Sequence, residues 1–287
     1  MFKNTMKTTV LLAGLGGLIV AVAGVLGGGS STSLTIGLVL AFVMVGGSYW
    51  FSDKLALRAA KAQVITREQA PEFYDMVERL ARRADLPMPR VAISPSPQPN
   101  AFATGRGPRS AVVCATQGLL QTLPRDEVEG VMAHELMHVK HRDILIGSVA
   151  AAIATAVSYA AQMAMFSSMF GGRDNRRGSP VAMLAVSLLA PLAASLIQMA
   201  ISRSREFEAD RGAAALLGSG RSLASALGRI ESIAHERPMA VPPAQAQAYI
   251  HNPLSEARAS NGHANNFAKM FSTHPATEER IRRLLAM

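Results

Sequence analysis

Cysteine is almost absent from this chain: Cys114 is the only one in 287 residues. An intramolecular disulfide is therefore excluded, and so is a cysteine-ligated zinc site. A chain that needs no disulfide suits a reducing compartment. Cys114 sits in the apolar run 111–115 and reads as a buried strand residue rather than a nucleophile. Aromatic residues are scarce as well, at 5%, and no nucleic-acid motif accompanies the formal charge of +9. The basic excess is therefore not the footprint of a nucleic-acid binder. Finally, Asp, Glu, Lys and Arg are missing from four long segments, 10–28, 34–51, 144–166 and 181–201. A transporter with a charged permeation path is thereby unsupported.

What fills those four segments is apolar sequence, rich in Gly and Ala. Each is close to the ~20 residues needed to cross a bilayer, and small residues suit close helix packing in lipid. The first exceeds the apolar stretch of about 7–15 residues of a signal peptide. The second follows it after a short Gly-Ser-Thr link, so an uncleaved hairpin of two spans is expected. Lys3, Lys7, Lys54, Arg58, Lys61, Lys140, Arg142, Arg203 and Arg205 flank the apolar segments, as cytoplasmic flanks do. The loop 171–180, with Arg173, Arg176 and Arg177, runs against that tendency.

Between the apolar segments the chain turns amphipathic. The spacing of Phe73, Met76, Val77 and Leu80 predicts a helix over Pro71–Arg83. Arg90–Ser94 and 110–116 read as strands, and the Pro-rich stretch 95–105 between them as turns. The second of these strands is a candidate to align an extended substrate by edge pairing. The segment 238–266, poor in large apolar residues, reads as a mobile loop or cover. Ile281, Leu284 and Leu285 mark a last amphipathic helix after His274-Pro275. No internal repeat is present.

The most chemically specific stretch is His134-Glu135-Leu136-Met137-His138. On a helix, positions i and i+4 share a face, so both imidazoles can reach one ion, with Glu135 beside them as general base. Helix-spaced Val128, Val131, Met132, Leu136 and Val139 supply the context, and Pro124, Asp126 and Glu127 a helix start. A catalytic zinc usually takes three protein ligands. His141 lies two turns from His134, roughly 10 Å along a helix at 1.5 Å per residue, and cannot join the same ion. It occupies the glycine position of a metzincin's longer pattern, with Ile144 at the third histidine, so that class is excluded. His235-Glu236 has Met239 where a second histidine is required. There remains Glu206-Phe207-Glu208-Ala209-Asp210, where Glu206 and Asp210 are i and i+4. One carboxylate can bind zinc while the other accepts a hydrogen bond from a ligand histidine. Glu208 points elsewhere on the helix. For Glu206 to meet His138, the chain between them must leave and re-enter the same side of the membrane, which two spans accomplish.

Pro99-Asn100-Ala101-Phe102-Ala103-Thr104-Gly105, the His134–His138 motif, Arg205-Glu206-Phe207-Glu208-Ala209-Asp210 and Ser272-Thr273-His274-Pro275 stand together in an order that resembles HtpX-type membrane metalloproteases over the whole chain. The likeness to CAAX-prenyl endopeptidases is more distant. The resemblance implies a mainly α integral membrane protein, four transmembrane helices bearing a zincin-like α+β catalytic domain. It divides the chain into a hairpin (1–52), a first catalytic part (53–143), a second hairpin (144–201) and a second catalytic part (202–287). It implies a zinc endopeptidase of the cytoplasmic membrane, its active site facing the cytoplasm, that degrades misfolded membrane proteins under stress. One zinc ion would be held by His134, His138 and Glu206, with Glu135 as base. It further implies that Asn100 touches substrate backbone and that His274 stabilises the oxyanion. A membrane scaffold or holdase that keeps zinc for structure is the alternative, and an intact Glu135 argues against it, because a structural site needs no base.

Overall fold

The computed structural model of the chain describes residues 2–26, 29–144, 203–236 and 275–287. The apolar segments 144–166 (beyond Ile144) and 181–201, the segment 238–266 and His274 lie outside the described residues. Two long helices open the chain, α1 (Phe2–Leu26) and α2 (Ser31–Ala59), and pack against each other. Ser30 caps α2, its hydroxyl accepting from the Ser33 N–H at 3.2 Å. Within α2 the segments Ser31–Gly47 and Tyr49–Ala59 meet at 64°, at the run Gly46-Gly47-Ser48, where glycine weakens the helix. Among the described residues no single helix is long and apolar enough to cross a membrane. The two limbs of α2 meet that standard of length and composition together.

After α2 comes a four-stranded sheet in the order β1-β2-β4-β3, made of β1 (Gln63–Val64), β2 (Arg90–Ser94), β3 (Ala101–Thr104) and β4 (Val112–Thr116). β2 and β4 are parallel, with Ala92 opposite Cys114, while β1 and β3 run antiparallel to their neighbours. The sequence reading is corrected here in two ways. The turn-rich stretch contains a strand, β3. The strand that follows it, β4, is interior rather than at an edge, and among the described residues the outer strands of the sheet are β1 and β3. Cys114 is fully buried, and burial pushes its thiol up to about 12. The lower limb of α2 lies on this sheet: Leu57, with Ala62 and Phe102, packs on Ala92, Val112 and Cys114, Asp53 pairs with Arg90, and the Ser94 hydroxyl donates to the Ala60 carbonyl at 2.6 Å.

On the sheet's other side lie α3 (Pro71–Arg83), the short α4 (Gln117–Thr122) and α5 (Arg125–His141), then α6 (Arg203–Leu217), α7 (Arg221–Glu236) and α8 (Thr277–Leu285). α3 has the bounds its apolar spacing predicts and buries Phe73, Met76, Val77, Leu80 and Ala81. Its core continues through Val131, Met132 and Leu136 of α5 to Leu223, Leu227 and Leu284 of α7 and α8. Polar ties reinforce the packing. Glu127 accepts from Ser225 at 2.6 Å and from Arg229 at 2.7 Å, holding α5 to α7. The Lys140 ammonium donates to the Ala84 carbonyl at 2.9 Å.

The stretch before β3 is pinned to the start of α4. Thr116 caps α4 through the Leu119 N–H at 3.1 Å, accepts from the Asn100 N–H at 2.9 Å, and donates to the Gln98 carbonyl at 2.7 Å. At Gly118 a Cβ would come within 2.0 Å of the Pro97 carbonyl oxygen, so the two backbones can meet only at a glycine. Gly118→Ala should therefore cost about 1–3 kcal/mol by overpacking, read as a lower unfolding midpoint in detergent. An unchanged midpoint would mean that residues 96–100 move aside freely.

Candidate metal centre

α5 is buried on nearly all sides, and its two histidines project toward α6. His134 is 1% exposed. Its Nε2 lies 3.1 Å from Nε2 of His138, with the rings edge to face. Glu206 of α6 closes the triangle, one carboxylate oxygen 3.7 Å from Nε2 of His134 and the other 3.7 Å from Nε2 of His138. One ligand atom from each residue lies within 4.8 Å of the others. α6 comes this close because Gly212 faces Met137, whose Sδ would sit 2.7 Å from a Cβ there.

Each imidazole has a carboxylate behind it. Nδ1 of His134 donates to Asp210, one turn after Glu206, at 2.9 Å. Nδ1 of His138 donates to Asp143 at 3.1 Å. With Nδ1 protonated in this way, both Nε2 atoms turn lone pairs toward the same point. Asp143 reaches back because α5 ends on Arg142 in the left-handed conformation, at φ 57°. The reversed chain also lets the Asp143 N–H donate to the His138 carbonyl at 3.2 Å.

Behind Asp210 stands Arg280 of α8, 2% exposed. Its Nε and Nη2 hold the two Asp210 oxygens at 2.8 and 2.7 Å. Nη2 is 3.5 Å from both ring nitrogens of His134, and Nη1 is 3.7 Å from Glu206. Burial alone would raise the Asp210 carboxyl, but Arg280 and His134 pull it down to about 2. Burial alone would lower His138, yet Asp143, then Glu206 and Glu135, push it up to about 10. His134 is raised too, its burial outweighed by Asp210 and Glu206.

The donor set fits a zinc ion in two respects. Its donor atoms are two imidazole nitrogens and a carboxylate oxygen, which is a common catalytic zinc set. The charge also fits. Four buried carboxylates, Glu135, Asp143, Glu206 and Asp210, face two guanidinium groups, Arg205 and Arg280, which leaves two negative charges for a divalent ion to balance once both imidazoles are neutral, as metal ligands are.

Of the residues expected from the sequence, His134, His138, Glu206 and Asp210 come together, with Glu135 buried beside them on α5 and Glu208 exposed on the far side of α6. His141 is outside the group, and His235–Glu236 closes α7. Asn100 is buried at the head of β3, the strand that packs against α5. Asp143 and Arg280 escaped the sequence reading. The only sequence signal for Asp143 is an acid at the margin of an apolar segment. Arg280 carries only a charge at a helical position beside Ile281 and Leu284.

The model of peptidase family M48 matches residues 67–287. A protease HtpX homolog of Burkholderia thailandensis is 52% identical over 99% of this chain and 97% of its own length. Another, of Burkholderia ambifaria, is 51% identical over the same shares. Among solved structures, that of S. mikatae Ste24p superposes with a TM-score of 0.51 at 19% identity, over 99% of this chain and 66% of that one, a likeness of fold.

Three measurements test this cluster. In the metal-free protein the raised His138 favours folding fully below its unfolded value of about 6.5, and that contribution is lost as pH rises toward about 10. Chelated protein should therefore lose thermal stability across that window. Zinc affinity should rise across the same window, as the competing protons leave. Asp143→Asn should weaken zinc retention by about 10–100-fold. Wild-type retention in that variant would remove Asp143 from the centre.

Proposed function

The chain belongs to peptidase family M48 and is a membrane metalloprotease, and from that premise we propose that His134, His138 and Glu206 hold one zinc ion and that Glu135 serves peptide-bond hydrolysis as general base. The observation that carries this reading is the convergence of three donor atoms within 4.8 Å. Bound there, zinc supplies a Lewis acid for the scissile carbonyl and brings the pKa of the attacking water toward ~7.

The chain's own groups supply the remaining chemistry. Asp210 and Asp143 fix the tautomer and orientation of the two imidazoles. Glu135 takes the proton from the attacking water and delivers it to the leaving amine. His274, just before Pro275 and α8, is the proposed donor to the oxyanion. β3, an outer strand of the sheet among the described residues and headed by Asn100, is the proposed place for an extended substrate to align as a further strand.

Substrates on this reading are misfolded or damaged membrane proteins, cleaved as stress-linked quality control. The protein sits in the cytoplasmic membrane with its active site facing the cytoplasm. Residues 1–52 and 144–201 form two transmembrane hairpins, and 53–143 and 202–287 the two parts of the catalytic domain. A second hairpin would return Glu206 to the side of His138, which supports this division of the chain.

Glu135→Gln should keep zinc and lose casein cleavage, because the amide preserves shape but cannot accept the proton. Metal content and cleavage are to be measured on the same sample, and full cleavage would overturn the mechanism. Glu206→Ala should lose zinc, whereas Glu208→Ala should retain it. The reverse pattern would overturn the ligand assignment.

A further inference from the structure

The lower limb of α2, Tyr49–Ala59, has two sides of opposite character. One faces the catalytic sheet: Ser52 is buried, Asp53 pairs with Arg90, and Leu57 packs on Ala92, Val112 and Cys114. The other carries Trp50, Phe51, Lys54, Leu55 and Arg58, at helical spacings of i, i+1, i+4, i+5 and i+8, all exposed. Trp50 is 60% exposed and Phe51 52%. The limb's one acid, Asp53, is on the sheet side. Arg106, from the loop that follows the edge strand β3, crosses to this face and sets its guanidinium 4.3 Å from the Trp50 ring centroid. Lys54 lies 5.5 Å over the Phe51 ring. Above the 64° bend, the upper limb carries no charged residue and exposes large apolar side chains, with Phe42 83% exposed.

An exposed face of large apolar side chains interleaved with cations and free of acids matches the boundary between acyl chains and anionic headgroups. We propose that the lower limb of α2 lies along the membrane surface rather than through the membrane. Arg106, stacked on Trp50, there binds the phosphate of an anionic phospholipid. The aromatic ring lies at the depth of the upper acyl chains, and the guanidinium offers paired N–H donors to a phosphate. Arg106 stands two residues beyond Thr104, so this contact brings one end of the substrate-pairing strand to the bilayer surface. The inference rests on the membrane reading above.

Trp50 is the only tryptophan, so fluorescence excited selectively in tryptophan reports on this face alone. The protein would be reconstituted into phosphatidylcholine–phosphatidylglycerol vesicles brominated either near the headgroup end of the acyl chain or near the bilayer centre. Shallow bromines should quench Trp50 more strongly than deep ones. At equal mole fraction, shallow-brominated phosphatidylglycerol should be preferred over brominated phosphatidylcholine by roughly fivefold, the effect of one basic side chain at an anionic surface. Arg106→Gln should abolish that preference and Arg106→Lys should keep most of it, with casein cleavage in detergent verifying that both variants are folded. Stronger quenching by deep bromines, no quenching in vesicle-bound protein, or a preference that survives Arg106→Gln would each overturn the proposal. Failure of the protein to float with vesicles at all would instead overturn the membrane reading beneath it.

Discussion

Two imidazole nitrogens 3.1 Å apart inside a protein cannot both present lone pairs to empty space. Something positive must lie between or beside them. Asp143 and Asp210 sharpen that demand by claiming the far nitrogen of each ring, and Glu206 adds a third negative group on the open side. Much of the surrounding architecture serves to keep this repulsive cluster closed. α5 is buried on nearly all sides, α6 is drawn against it at Gly212, and α8 delivers an arginine that satisfies one carboxylate without supplying the cation the rings require. Protons meet the demand when metal is removed. A divalent ion meets it better, because it adds bonds to the nitrogens where protons only add charge.

The parts of this centre that the sequence announced are those governed by helical periodicity. His134 and His138, and then Glu206 and Asp210, are four residues apart, and a four-residue step keeps side chains on one face wherever the helix is packed. Asp143 is also near in sequence, but its contact depends on a left-handed residue, Arg142, that reverses the chain. No periodic pattern marks a reversal of that kind in a non-glycine residue. Arg280 meets His134 across 146 positions, and a lone arginine in an amphipathic helix looks like any solvated charge. β3 is hidden by the prolines before it, which signal turns, while its pairing with β4 is a contact between strands, beside which Thr116 anchors Asn100. The interior position of β4 follows from that hidden strand.

α2 joins the two halves of the described molecule and is longer than its own apolar segment. The apolar segment ends at Phe51, and the helix runs on to Ala59. Past the Gly46-Gly47-Ser48 bend its side chains alternate between sheet contacts and an exposed aromatic–cationic face. Composition records that change only as the arrival of Lys54 and Arg58. The same helix therefore begins as an apolar rod and ends as a structural strut of the catalytic sheet, with Asp53 and Arg90 fixing its angle.

The order in which the centre's members are made also matters. At translation speeds of about 5–20 residues per second, the 146 positions between His134 and Arg280 take roughly 7–30 s to synthesise. Throughout that interval the emerging chain carries its histidines and, later, Asp210, but not the guanidinium that neutralises Asp210. A nascent chain thus holds every proposed zinc ligand before it holds the arginine that neutralises Asp210, and the charge balance of the centre is the last part of it to be completed.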